Sequence, residues 1–381
     1  MRMMSTAGEA AAARPAARAG KAVRACRRDD LPRVAALYEA VMRSGKRTPA
    51  PRLAQYFERT FFDCPWADPE IPSLVYEDDA GGIIGFIGSH VRRLRLDGRT
   101  LRIACGGQLV ADPQARAPVG AILFRTHLRG PQAATFTDGA NETVRRMWEV
   151  CGGEAAHLKT IAWTRILRPA RYAGDYALRR LGRPAAARAL RPLWKPLDAL
   201  ALRLAGRRLR PPARASAEGL DARAVMDHMP LVTEFLRGYP DYDEAFLEWL
   251  FREMAAVKSR GTLVRALVRD GRGQALGWYV YYLESGVAHA FQVAAKRGAA
   301  GEVLDALFHH AFMSGAAAVQ GRLEPQLAGP LAARRCVYGW SGGALLHSTN
   351  PALLGVLLSS QCWLGLMDGE SWMGHHREDF S

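Results

Sequence analysis

The chain has 381 residues, 49% of them hydrophobic and 23% charged, with a formal net charge of +15. That length and apolar content exceed one ordinary domain and support sizeable cores. No run approaches 18 uncharged apolar residues, which excludes a membrane-spanning helix, and the six cysteines carry no CxxC or paired spacing, which points to reduced thiols in a cytoplasmic protein without a metal site.

Residues 1–19 (MRMMSTAGEAAAARPAARA) lack the continuous apolar core of a signal peptide and read as a disordered tail. A short strand is expected over residues 20–26. Asp29 or Asp30 then caps a helix with Leu31, Val34, Leu37, Tyr38 and Val41 at helical spacing, and PRLAQYFERTFF supplies a second helix. From residue 71 to 113 three β-rich runs are separated by the turn signals DDAGG and LDGR. The stretch LVADPQARAPVGAILF (109–124) passes from the last run through small residues into a helix over 119–128. Its bare first-turn amides make an anion site. A strand at ATFTDG, a helix from Asn141 to about Val150 and a strand near AAHLKTIAWTRI complete an order of β-αα-βββ-α-β-α-β. This predicts an α/β (α+β) fold with mixed sheets flanked by helices.

After residue 215 the order is echoed: helical segments, a hairpin turning at DGRG, a strand, the small-residue turn KRGAAGE and a helix. The echo suggests two copies of one fold, with residues 20–175 and 218–381 as the domains. Between them, residues 176–217 form a basic linker. From Trp163 to Ala215 there are fourteen Arg and Lys against Asp175 and Asp198, so most of the excess charge lies there. Within it Leu190, Leu193, Trp194, Leu197, Leu200, Ala201 and Leu204 share a helical face bordered by Arg188, Arg191, Lys195, Arg203, Arg207 and Arg208. This pattern fits a helix at an anionic membrane surface, with packing on a domain as the rival. Pro192 and Pro196 are expected to break or tilt its first turns. Nucleic acid is disfavoured, because the arginines alternate with leucine and not with stacking aromatics.

The segments LVADPQARAPVGAILF and FTDGANETVRRMWEVCGG together resemble the GNAT N-acyltransferase superfamily, over roughly residues 20–170 and more vaguely over 218–375. The resemblance implies two GNAT-like domains, the first binding acyl-coenzyme A as donor. Leu109, Val110, Ala111, Ala115, Arg116, Ala117, Val119, Gly120, Ala121 and Asn141 would hold the cofactor. Ala117, Val119 and Ala121 stand where the family carries glycine, Pro118 removes an amide, and Trp148 replaces a proton-donating Tyr. Asp138 is the expected general base, with the turn and helix-cap role of such an Asp as the alternative. Asp368, Glu370 and Trp372 are candidate acceptor-binding residues, with an ordinary Asp-Gly turn as the rival. The implied reaction is acyl transfer to an amine, soluble or a membrane aminolipid such as a sphingoid base, at the inner face of a membrane. A FemABX-like aminoacyl transfer and a non-catalytic scaffold are the other classes. The pairs His309-His310 and His375-His376 lack ligand spacing and are expected at the surface, with no metal bound.

Overall fold

The computed structural model describes residues 23–43, 45, 50–115, 118–206, 209–212 and 215–380. Strand β1 (Val23–Ala25) leads into helix α1 (Leu31–Tyr38), which packs on α2 (Leu53–Phe61). The meander β2 (Leu74–Glu77), β3 (Ile83–Leu96) and β4 (Arg99–Ala111) follows. Asp97 and Gly98, with φ of 46° and 81°, form the two-residue turn between β3 and β4, the pair of left-handed residues that a tight hairpin requires. Next come α3 (Val119–Leu128), β5 (Ala134–Ala140), α4 (Glu142–Val150), β6 (Glu154–Ala155) and β7 (Ile161–Ile166).

Helices α5 (Pro169–Arg180), α6 (Pro184–Ala189) and α7 (Arg191–Ala205) form the basic connection. The expected break in α7 does not occur. Pro192 falls in the first turn, where its missing amide has no partner to lose, and the helix continues through Pro196. One face of α7 is anchored: Asp198 accepts from the amide of Ala170 at 2.8 Å and Trp194 covers Gly174. The opposite face leaves Leu193 at 62%, Leu197 at 50%, Leu200 at 52% and Leu204 at 80% exposure.

The second half contains β8 (Ser216–Gly219), α8 (Ala222–Thr233), β9 (Gly238–Pro240), α9 (Glu244–Ala256), β10 (Thr262–Arg269), β11 (Ala275–Glu284) and β12 (Val287–Ala295). It continues with α10 (Ala300–Met313), β13 (Ala318–Arg322), α11 (Ala328–Ala333), β14 (Val337–Trp340), β15 (Gly343–His347) and α12 (Pro351–Leu358). One sheet has the order β1-β2-β3-β4-β5-β15-β6 with β9 on β3, and the other β14-β7-β13-β12-β11-β10-β8. The sheets therefore exchange strands across the linker. β7 pairs antiparallel with β13 and β14, and β15 inserts antiparallel between β5 and β6. Each exchange covers a sheet edge that would otherwise offer unpaired backbone groups. The largest core runs across both halves, joining Phe57 and Phe86 to Phe246, Trp249, Trp278 and Trp372.

Two parallel pairs repeat one design. β4 and β5 pair only over Ile103–Cys105 and Ala134–Phe136, then diverge, and α3 begins just beyond the end of β4. β12 and β13 pair only over Val287–Ala290 and Ala318–Gly321, then diverge, and α10 begins beyond β12. Each divergence leaves a wedge in its sheet.

Candidate active site

The first wedge opens onto a cavity of about 900 Å³ lined by both sheets, α5 and the segment after residue 365. In β4 the register against β3 shifts beyond Phe86, and Gln108 has a φ of 51°. A bulge of this kind re-aims side chains next to a site. Here it sends the Gln108 amide inward, donating to Glu370 Oε2 at 3.1 Å while its Oε1 meets His90 Nε2 at 2.9 Å. Thr137 Oγ1 on β5 donates to Glu370 Oε1 at 2.8 Å. The Glu370 carboxyl thus bridges the wedge from one strand to the other. Two glycines make room for it: a Cβ on Gly107 would lie 2.1 Å from Oε2, and one on Gly139 would lie 3.3 Å from Oε1.

Burial, and then the neighbouring Asp138 charge, push the Glu370 carboxyl up to about 8, against the opposing hydrogen bonds from Thr137 and Gln108. A carboxyl with that value takes and returns a proton close to neutral pH. Burial also holds the two nearby histidines neutral. His90 is lowered to about 3, and His375 is held well below its ordinary value.

Asp138 sits beside this group and also lines the cavity. Its Oδ1 accepts from the amides of Glu370 at 3.0 Å and Ser371 at 3.2 Å, so the carboxylate fixes the turn that presents Glu370. A Cβ on Gly369 would fall 2.1 Å from Asp138 Oδ2, and only glycine fits there. Of the three acceptor candidates, Glu370 alone lines the cavity. Asp368 is buried, accepting from Tyr242 Oη at 2.5 Å and from the Gly365 amide at 2.7 Å, with its carboxyl raised by burial to about 6. Trp372 is fully buried against Trp249. Both anchor the segment that carries Glu370.

The cofactor candidates lie where the wedge meets α3. Leu109 lines the cavity, while Val110 and Ala111 pair with Phe86 and Gly85 of β3. Asp112 turns the chain by accepting from the Gln114 amide, and the Ala115 amide returns to the Asp112 carbonyl. Arg116 and Ala117 lie outside the described residues. Val119 is buried against Gly85, where a Cβ would meet it at 2.3 Å. Among the described residues Pro118 gives α3 no side-chain cap and the first turn holds no acid, so the helix begins at Val119, Gly120 and Ala121 without a cap from its own N-cap residue. Asn141 caps α4 by accepting from the Val144 amide, and its residue borders the cavity. Trp148 is not in the cavity. It packs against Phe124 and Gly153 in the core.

The surface placement expected for His375-His376 is overturned. His375 is 3% exposed beside Gln108, and His376 meets Tyr38 Oη at 2.8 Å, because the C-terminal segment folds back into the first half. His310 is half-buried on Tyr279 Oη. Among the described residues no three His, Cys, Asp or Glu side chains are grouped to hold a metal ion, and no helix is long and apolar enough to cross a membrane.

Solved structures share this architecture. A GCN5-related N-acetyltransferase from Anabaena variabilis ATCC 29413 aligns with a TM-score of 0.56 at 11% identity, covering 86% of this chain and 73% of its own. Another from Kribbella flavida aligns at 0.53 with 15% identity, covering 86% and 70%. A conserved protein of unknown function from Enterococcus faecalis V583 aligns at 0.52 with 10% identity, covering 88% and 73%. No family model matches the sequence, and no curated protein does. At these identities the likeness establishes the fold, which is the paired GNAT fold expected from the sequence.

Proposed function

We propose that this GNAT-fold chain is an acyl-coenzyme A-dependent N-acyltransferase in which Glu370, and not Asp138, takes the proton of the attacking amine. The observation that carries the reading is a proton-accepting carboxyl set across the β4/β5 wedge with a value near neutrality. The donor would lie with its diphosphate at the uncapped amides of α3 and its pantetheine arm along the stretch of β4 that β5 leaves unpaired. The amine nitrogen attacks the thioester carbonyl, backbone amides of β4 steady the oxyanion, the C–S bond breaks, and the nitrogen's proton passes to Glu370. The departing thiolate has an ordinary value near 8.5, so it leaves without the strong acid that Trp148 could not supply. Asp138 holds the turn and keeps the Glu370 value high.

Thiol release from acetyl- and palmitoyl-coenzyme A, measured across pH, tests this. Turnover rises with pH through about 8, where Glu370 becomes ionised. Glu370→Gln lowers kcat by about 100-fold or more while donor affinity is kept, in the range of a lost general base. Unchanged turnover removes Glu370 from this role. Absence of donor binding returns the chain to the aminoacyl-transfer or non-catalytic classes.

The exposed leucines of α7, bordered by Arg188, Arg191, Lys195 and Arg203, support docking on an anionic lipid surface. Tyr172 and Tyr176 of α5, the helix α7 packs on, border the cavity, so a docked α7 would set its mouth near lipid. Replacing Leu193, Leu197, Leu200 and Leu204 with Ser releases the protein from anionic vesicles at low salt. Continued sedimentation with them ends the docking proposal.

A further inference from the structure

In the cavity that holds Glu370, the wall also carries guanidinium groups that the acyl-transfer chemistry does not use. Arg322 ends β13 of the second sheet. Its Nη2 donates to the Asp138 carbonyl at 2.9 Å, while its Nε is buried without a partner among the described residues. Arg260 precedes β10. It donates from Nε to the Trp372 carbonyl at 3.1 Å and lies over the Phe291 ring at 5.4 Å. Both line the cavity and both are half-buried. Among the described residues neither lies within ion-pair distance of a carboxylate, whereas the neighbouring Arg377 is paired with Glu284 at 3.5 Å. Half-buried guanidiniums hydrogen-bonded only to carbonyls keep donors in reserve, and the carboxylates that act on them, Glu284 and Asp138 on Arg260 and Glu324 on Arg322, do so beyond ion-pair distance. The fork of an arginine matches a carboxylate or phosphate with two parallel hydrogen bonds.

Their position relative to the base sets the chemistry. Arg322 is bonded to the carbonyl of residue 138, and the Glu370 carboxyl rests on residue 139. A cation and a proton acceptor therefore flank the same dipeptide of β5. A ligand spanning them has an anion and an amine separated by a very short linker.

We propose that the acceptor is an amine that carries an anionic group beside it, an α-amino acid or an aminoalkyl phosphate or phosphonate, with the anion on Arg322 and Arg260 and the nitrogen at Glu370. This rests on the acyl-transfer reading of the same site and adds the substrate class. The free amine of a sphingoid base, which has no anion, leaves the two arginines unmet. An aminophospholipid headgroup and a free amino acid share the required chemistry and differ in source.

The test uses matched probes with the full chain: L-leucine against isopentylamine, L-phenylalanine against phenethylamine, and 2-aminoethylphosphonate against ethylamine. Calorimetry reads binding and thiol release from acetyl-coenzyme A reads transfer. The anion-bearing member of at least one pair binds about tenfold or more tighter, the gain expected of a charge-assisted fork. In Arg322→Gln, and independently in Arg260→Gln on a different element, that preference collapses toward unity, while Arg322→Lys keeps part of it. Equal binding within every pair, tighter binding of the plain amines, or no binding of any probe overturns the proposal. Selective binding without thiol release sustains the anion site and defeats the acyl-transfer reading, so the two failures are separable. Vesicles containing phosphatidylethanolamine, offered beside phosphoethanolamine, distinguish the lipid source from the free one.

Discussion

The two wedges of this molecule are built alike and filled differently. In the first, β4 and β5 part beyond Cys105 and Phe136, the following helix starts without an acid, and glycines at 107 and 139 leave the gap open to Glu370. In the second, β12 and β13 part beyond Ala290 and Gly321, but α10 carries Glu302 in its first turn, where an anionic ligand would meet like charge. Side chains also close that wedge: Trp278 Nε1 donates to Gln292 Oε1, Gln292 Nε2 to Tyr242 Oη, and Tyr242 to Asp368. Beside them a smaller cavity of about 230 Å³ remains, apolar apart from Lys296, Arg297 and Gln326 at its edge. One C-terminal segment serves both places. Its Trp363 and Asp368 pack into the second half, and two residues later Glu370 enters the first wedge. In this arrangement the second half packs the segment that carries Glu370 into the first wedge.

Changes in the filled wedge should act on stability, and changes in the open one on turnover. Trp363→Ala removes a side chain that is 2% exposed and should cost about 3–5 kcal/mol in denaturant unfolding, the usual range for a truncated core tryptophan. A cost below about 1 kcal/mol would mean that the second wedge is not packed as described. Gly107→Ala drives a methyl group into Glu370 Oε2, and overpacking of this kind costs about 1–3 kcal/mol. Its more telling effect is kinetic, a fall in kcat larger than any change in donor affinity; a purely thermodynamic effect would blur the contrast between the wedges.

The smallest effect is on the pH dependence of stability. In the unfolded chain Glu370 titrates in the ordinary carboxyl range and in the fold at about 8, so the folded state holds the extra proton between those values. Stability contributed by the protonated form is present below the ordinary carboxyl value and is lost as pH rises to about 8. Glu324, raised to about 7, and Asp368, raised to about 6, act in the same direction. His90, lowered to about 3, and His127, lowered to about 4, act oppositely, their contribution being lost as pH falls below the ordinary histidine value. Unfolding midpoints across pH should fall on both sides of a maximum, and Glu370→Gln should flatten the alkaline limb alone. An unchanged alkaline limb would deny Glu370 its raised value.

Local signals carried the elements well. The span 119–128 is helical as its apolar spacing requires, Asn141 caps α4, and LDGR and DGRG turn their hairpins. What the sequence did not reveal is non-local. Nothing near Ile161–Ile166 states that its partners are β13 and β14, because an alternating strand pairs equally well with any edge that tertiary packing brings to it. The roles of Asp138 and Glu370 were hidden for the same reason. They lie 232 residues apart, and only the return of the chain brings the amides of residues 370 and 371 to Asp138 and the Glu370 carboxyl to Gln108 and Thr137. The burial of His375 belongs to that same return, and a sequence window around it holds no sign of the first-half groups that cover it.

The strand exchange has a consequence for synthesis. Leu346 pairs with Phe136 inside the first sheet, and Glu370 reaches its wedge through a segment made later still. As the nascent chain leaves the ribosome, β5 finds β4 already made but must wait for all of β6 to β14 before its second neighbour, β15, exists, and contacts of such long separation form slowly. A ribosome that stalls before β15 and residue 370 would release a product with an open edge on β5 and no Glu370 carboxyl between β4 and β5.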